Sequence, residues 1–301
     1  MSMGRKLQDL LREKPYLYTL GITTPLHAMI VEKTGYDYIY VGGYDVSLTL
    51  LGLPDVGLIT EPEMVTNAGH IGRSVKLPVM VDADTGYGNA INVIRTVREY
   101  ELAGVAAIHL EDQVSPKRCG SIAGKEVIPV EEACGKIRAA VDARTDPDFV
   151  VIARTDARGA TGFADAVLRG QRYHEAGADM VFPDALLSVE EYATFAREVP
   201  GLKMFNMGGY AKKRTTPKLP LDEVEGMGYA LCILPLLALR AGVQAMIDTL
   251  DGFLREMKMR FPDAVARAKL PPGISADPDS TGSLPAIVGS KPAGVKVKAG
   301  P

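Results

Sequence analysis

Cysteine is scarce in this chain. The three present, Cys119, Cys134 and Cys232, are odd in number, far apart and without CxxC spacing. That excludes a disulfide framework and a structural zinc site, and it fits a reducing, cytoplasmic setting. Histidine is scarce too. His27, His70, His109 and His174 form no ligand spacing, and all four read as structural. No apolar run approaches the roughly 18 uncharged residues needed to cross a bilayer. The polar start MSMGRKLQDLLREKP has no apolar segment of the kind a secretion signal carries. Charge of one sign is lacking as well. A net charge of -3, spread without long runs, gives no electrostatic reason to expect nucleic acid or an anionic membrane as partner. A GxGxxG fingerprint is absent, which removes the expected mark of a doubly wound dinucleotide-binding sheet.

What is there is an α/β pattern. Hydrophobic residues make up 47% of 301, enough for one large core. Short, mostly apolar runs predict strands over Tyr16–Gly21, Tyr38–Gly42, Leu77–Asp82, Ala106–Glu111, Phe149–Arg154, Asp179–Phe182, Leu202–Asn206 and Tyr229–Leu234. Amphipathic helices are predicted between them over Ile91–Leu102, Glu131–Val141 and Ala164–Ala176, two of the junctions closing on Ala-Gly (ELAGVAA and HEAGADM). Strand and helix alternating eight times predicts a (β/α)₈ TIM-like barrel. A long helical stretch rich in Leu, Ala and Met follows over Leu236–Met259. Residues 1–270 therefore read as one barrel domain with a helical extension, and 271–301, dense in Pro, Gly, Ser and Lys, as a flexible tail.

In such a barrel the chemistry sits at the C-terminal strand ends, and here those ends are polar. The third strand ends in Asp82 with Asp84 two residues on, which pleating would turn to the same side, and Gly86 and Gly88 let the chain bend nearby. The fourth delivers Glu111 and Asp112, the fifth Arg154 and Asp156, the sixth Asp184, the seventh Asn206. An aspartate after one strand is usually a cap or turn former, and Asp112 and Asp156 read as structural. Several strands doing this together point to a site. Hard oxygen donors without His or Cys favour Mg²⁺ or Mn²⁺ over zinc, and an arginine beside them suits a carboxylate or phosphate. The loop VSPKRCGSIAGKEVIP, residues 114–129, is long for a βα connection and reads as a lid, with Gly120 and Gly124 as flexible points. Its Cys119 follows Lys117 and Arg118, whose charge eases thiol ionisation, so the three are catalytic candidates. Lys212-Lys213-Arg214 forms a short basic patch, normally solvated.

The stretches VGGYDVSLTLLGLPD, VDADTGYG, HLEDQVSPKRCG and ARTDA resemble the isocitrate lyase / phosphoenolpyruvate mutase superfamily, in order from about residue 10 to about residue 260. The resemblance implies an α/β barrel whose last helices are swapped between subunits of a dimer or tetramer. It implies Mg²⁺ held by Asp82 and Asp84, with Asp55 and Glu111 around the metal's water. It places Gly42, Gly43 and Tyr44 at a loop that cradles an α-hydroxy or α-keto carboxylate, with Tyr44 also able to assist proton transfer. Arg154 would pair with the substrate, Cys119 would be the acid of the carbon–carbon lyases, and Gly120, Asp184, Asn206 and Arg240 would touch substrate. The implied partner is a small di- or tricarboxylate or keto acid, and KRCG tilts the implied reaction towards C–C cleavage. Phosphonate mutase or oxaloacetate hydrolase chemistry, and an inactive binding homologue, stay open beside it.

Four positions depart from the family pattern. Ser121 stands where lyases carry His, Gly42 where the loop usually begins with Ser, Asp184 in place of Glu, and Gly208-Gly209 where a Glu is usual, followed by a basic insertion. These fall at the far end of the substrate, and imply a smaller or differently shaped 2-hydroxy or 2-keto diacid than isocitrate or methylisocitrate.

Overall fold

A computed structural model describes residues 1–120, 122–208 and 217–260. Ser121, the basic patch, Gly209, the boundary at 270 and the tail from 271 lie outside the described residues.

All eight expected strands are present, each within two residues of its predicted bounds: β1 (Leu17–Leu20), β2 (Ile39–Val41), β3 (Val79–Asp82), β4 (Ala107–Glu111), β5 (Val150–Thr155), β6 (Met180–Pro183), β7 (Leu202–Asn206) and β8 (Leu231–Leu234). They are parallel, each paired with the next, and β8 returns to β1. A single bridge, Gly21 to Tyr40, joins β1 to β2 and completes the ring. The expected helices also form, over Ala90–Leu102, Val130–Ala143, Phe163–Glu175 and Leu237–Arg260. Strands buried on both faces need apolar residues at every position, which is why they read as short continuous runs.

Side-chain parity then divides the core. Leu17, Tyr38, Tyr40, Met80, Ala107, Val150, Ile152, Met180, Phe182, Met204 and Leu231 point inward and form one buried cluster. Their strand neighbours Ile39, Val81, Ile108 and Val151 point outward against the helices. Continued upward, the inward parity brings Asp82, Glu111, Arg154 and Asn206 to the upper rim.

The first helix, Met3–Glu13, has no counterpart among the sequence expectations. The Ser2 hydroxyl caps it by accepting from the Arg5 N–H at 3.2 Å. Its buried Leu7 joins the inward cluster, and Arg5 and Gln8 both bond Asp148, just before β5. The helix thus closes the barrel at the end opposite the polar rim. Met3, Leu7, Leu10 and Leu11 recur at helical spacing along one face and pack against the inward cluster, leaving the polar residues to solvent.

Candidate active site

Asp82 ends β3. Its Oδ2 accepts from the Gly43 N–H at 3.1 Å, and its Oδ1 from the Asp84 N–H at 2.9 Å. Asp84 reaches the same place by a route other than pleating. The strand has already ended, and Asp84 sits in the left-handed region at φ 47°. A turn therefore brings the two carboxylates together. Gly43 has no side chain for a physical reason: a Cβ there would lie 3.1 Å from both Asp82 Oδ2 and Asp84 Oδ1. Its N–H is given to Asp82, which fastens the Gly42-Gly43-Tyr44 turn to the end of β3.

Lys117 enters from the long loop. Its Nζ lies 2.5 Å from Asp55 Oδ1 and 2.8 Å from Asp84 Oδ1, and all three side chains are buried. Burial opposes the lysine's charge, but Asp84 and Asp55 outweigh it and hold the ammonium well above its usual range. The loop is fastened to the same place by its backbone, the Cys119 N–H donating to the Asp55 carbonyl at 3.1 Å. Gln113 braces it from below, bonding both the N–H and the carbonyl of Arg118.

Arg154, at the end of β5, organises the opposite side. It pairs with Glu111 at 3.2 Å, Asp156 at 2.8 Å and Asp184 at 3.0 Å. Asp156 also holds Lys125 at 2.9 Å, and Lys125 donates to the Gly120 carbonyl at 2.6 Å. Asp112 accepts from Tyr173 at 2.7 Å and from the Asp156 N–H at 2.9 Å. Asp112 and Asp156 are thus each engaged by neighbouring side chains and backbone beneath the rim. Asn206 donates to Asp184 at 3.0 Å. Gly120 passes directly over the Asp184 carboxylate, where a Cβ would collide with it and would come within 2.9 Å of an Arg154 nitrogen.

The electrostatics are uneven. Burial would raise Asp82, but His109, Lys117 and Arg154 hold it down at about 2. Burial, aided by Asp82 and Asp55, pushes Asp84 up to about 7, and burial carries Glu111 well above the carboxylate range despite Arg154. Among the described residues neither buried Glu111 oxygen accepts a well-formed hydrogen bond, Oε2 having only its ion pair with Arg154. Six buried carboxylates, Asp55, Asp82, Asp84, Glu111, Asp156 and Asp184, face Lys117, Lys125 and Arg154, an excess of negative charge that a divalent cation would offset. The donor set is oxygen only and suits Mg²⁺. Among the described residues, no three acidic, His or Cys side chains form a finished ion cage, and the Lys117 ammonium stands between Asp55 and Asp84.

Tyr44 is half-buried beside this group. Burial, and then the neighbouring Cys119, push its phenol up to about 12, with Arg240 opposing. Arg118 is not brought there. It is exposed and donates to the Ala123 carbonyl at 3.2 Å, turned back onto its own loop. Of the two neighbouring cations, Lys117 takes the inner side of the loop and Arg118 the outer, because adjacent residues on an extended segment point to opposite sides. His109, read as structural, lies beneath the site. It is fully buried on β4, bonded to the Tyr40 hydroxyl at 3.2 Å, with Nδ1 3.6 Å from Asp82 Oδ1. Burial holds its ring down at about 4, so it is neutral near pH 7 and meets Asp82 as a dipole. Its inward parity with Glu111 was the available signal. Asp45, also unassigned from sequence, is buried at this rim.

The family model described as phosphoenolpyruvate phosphomutase matches residues 7–254. The chain belongs to the phosphoenolpyruvate mutase / isocitrate lyase superfamily. It is 44% identical over 250 residues to a 2,3-dimethylmalate lyase of Eubacterium barkeri, covering 82% of this chain and 85% of the relative. It is 45% identical over 242 residues to a 2-methylisocitrate lyase of Aeropyrum pernix, covering 80% of this chain and 77% of the relative. A crystal structure of 2,3-dimethylmalate lyase superposes with TM-score 0.80 at 34% identity over 85% of each chain. A phosphonopyruvate hydrolase solved with oxalate and Mg²⁺ superposes with TM-score 0.77 at 30% identity, over 90% of this chain and 93% of the other. Among the described residues no helix is long and apolar enough to cross a membrane.

Proposed function

We propose that this protein is a Mg²⁺-dependent carbon–carbon lyase. It cleaves a 2-hydroxy dicarboxylate, of the 2-alkylmalate or methylisocitrate kind, into an α-keto acid and a carboxylate. The observation that carries this reading is the joining of the oxygen-only cluster to the KRCG loop: Lys117 between Asp55 and Asp84, with Cys119 tied to Asp55 at 3.1 Å. The lyases among its relatives support the same reaction class.

Asp82, Asp84, Asp55 and Glu111 would hold the metal, which supplies Lewis-acid stabilisation of the oxygen charge that develops at C2. Arg154 and the Gly42-Gly43-Tyr44 turn orient the substrate, with Asp184, Asn206, Gly120 and Arg240 around its distal end. Glu111, raised by burial, accepts the hydroxyl proton as C2 becomes a ketone. The C2–C3 bond breaks, and its electron pair leaves with the other fragment. Cys119 Sγ gives that fragment a proton, and the loop excludes water from it. The test is turnover of a 2-alkylmalate panel with Mg²⁺, with EDTA and with Cys119→Ser. Pyruvate or a homologous keto acid should be released with Mg²⁺ only, and the serine variant should lose at least about a hundredfold. Full turnover by the serine variant would remove Cys119 from its role.

The last helix supports a swapped dimer or tetramer, because Met246, Leu250 and Phe253 form an exposed stripe along it, 52–64% accessible. None of the three cysteines is in a disulfide, which supports a reducing, cytoplasmic setting.

A further inference from the structure

From β3 to β7 the strand ends or the turns just after them carry acidic, basic or amide groups, whereas β1 and β2 end at glycines, Gly21 and Gly42. Both glycines lie at inward-facing parity. A Cβ on Gly21 would stand 2.7 Å from Asp45 Oδ2, and one on Gly42 3.2 Å from the same atom and 3.3 Å from the Tyr40 hydroxyl. The Asp45 carboxylate therefore occupies the mouth of the barrel in place of those two side chains, reaching in from the short helix Gly43–Val46 above β2. It is 1% exposed, and the Leu236 N–H is the one polar group placed against it, too poorly aligned to make a full hydrogen bond to either oxygen among the described residues. One marginal donor leaves most of the carboxyl's hydrogen-bonding capacity unmet, and a buried polar group short of partners costs about 1–3 kcal/mol, more if charged, so the position is expensive unless a ligand completes it.

We propose that Asp45 is a specificity-determining residue whose carboxyl hydrogen-bonds the part of a bound dicarboxylate that lies on the β1/β2 side, remote from Asp82 and Asp84. This inference rests on the lyase reading and names how the same site measures its substrate. Burial pushes the Asp45 carboxyl up to about 7, with the nearby Leu236 N–H opposing and Asp55 and Asp82 adding to the rise. A protonated carboxyl donates to an anionic oxygen, which an ionised one would repel.

The test compares wild type, Asp45→Ala and Asp45→Asn as full-length proteins with Mg²⁺. The two probes are oxalate, too short to span the mouth, and a 2-alkylmalate. For Asp45→Ala we expect KM for the 2-alkylmalate to rise at least about tenfold with kcat changed little. Its thermal stabilisation by the 2-alkylmalate should be lost and that by oxalate kept. Asp45→Asn, which retains a donor, should recover most of the loss. Equal loss of both stabilisations with a lowered Tm overturns the proposal and makes Asp45 a brace for the turn at Leu236. An unchanged KM in Asp45→Ala, or no stabilisation of wild type by the longer acid, overturns it too. If wild type binds the 2-alkylmalate without cleaving it, the lyase reading fails while the difference in stabilisation still decides Asp45.

Discussion

Gly120 crosses the Asp184 carboxylate at a distance that leaves no room for a Cβ. The lid loop therefore meets the barrel wall through backbone, and the Gly120 carbonyl is pinned by Lys125 at 2.6 Å. Gly120→Ala must lift the loop or swing Asp184 away from Arg154. Misplacement on this scale lowers kcat/KM by about tenfold or more, while the loop's surface position leaves Tm within about 2 °C. Steady-state kinetics and a melting curve on one preparation check both halves.

Lys117 neutralises two buried carboxylates. Lys117→Met leaves them facing each other, a loss of about 3–5 kcal/mol of stability. Mg²⁺ should restore more Tm to the variant than it adds to wild type, because the cation then takes over the ammonium's role. Melting curves across a Mg²⁺ titration read this without any turnover, and equal gains in the two proteins would count against a cation site here.

Arg154 serves Glu111, Asp156 and Asp184 at once through different nitrogens. A lysine keeps the charge but has one nitrogen and no fork. Arg154→Lys should lower kcat/KM by about a hundredfold or more, measured on whichever 2-alkylmalate wild type turns over best.

Leu7 is fully buried at the closed end of the barrel. Leu7→Ala should destabilise by about 2–4 kcal/mol in denaturant unfolding. Arg12→Ala, on the exposed side of the same helix, should stay within about 0.5 kcal/mol.

The exposed stripe on the last helix gives a separate test of assembly. Leu250→Glu places a charge in the middle of it, and a swapped dimer or tetramer should dissociate to smaller species in sedimentation velocity. A wild-type protein that already sediments as a monomer would remove the swapped assembly.

Much of the rim was legible before any coordinates, because a parallel barrel strand is written as an apolar run and its polar last residue stands out. Asp82, Glu111, Arg154 and Asn206 all follow from that rule plus inward parity. His109 obeys the same parity, yet a lone histidine inside an apolar strand has nothing in its local pattern to separate packing from support of Asp82. Arg118 and Lys117 are adjacent and chemically alike, and only the path of the loop decides which one turns inward. Asp45 was hidden for another reason: its environment is made by Gly21 and Leu236, close in space but far along the chain.

By itself, the sequence determined the strand and helix order, the barrel and the identity of the oxygen-rich rim, because periodicity and strand-end polarity are local properties. The tertiary structure alone decided that Asp84 arrives through a left-handed turn, that Lys117 sits between Asp55 and Asp84, that the first helix closes the barrel and that Asp45 fills the space above two glycines. Each of these depends on which distant segments touch, and burial and pairing, which set charge and function, are properties of that contact.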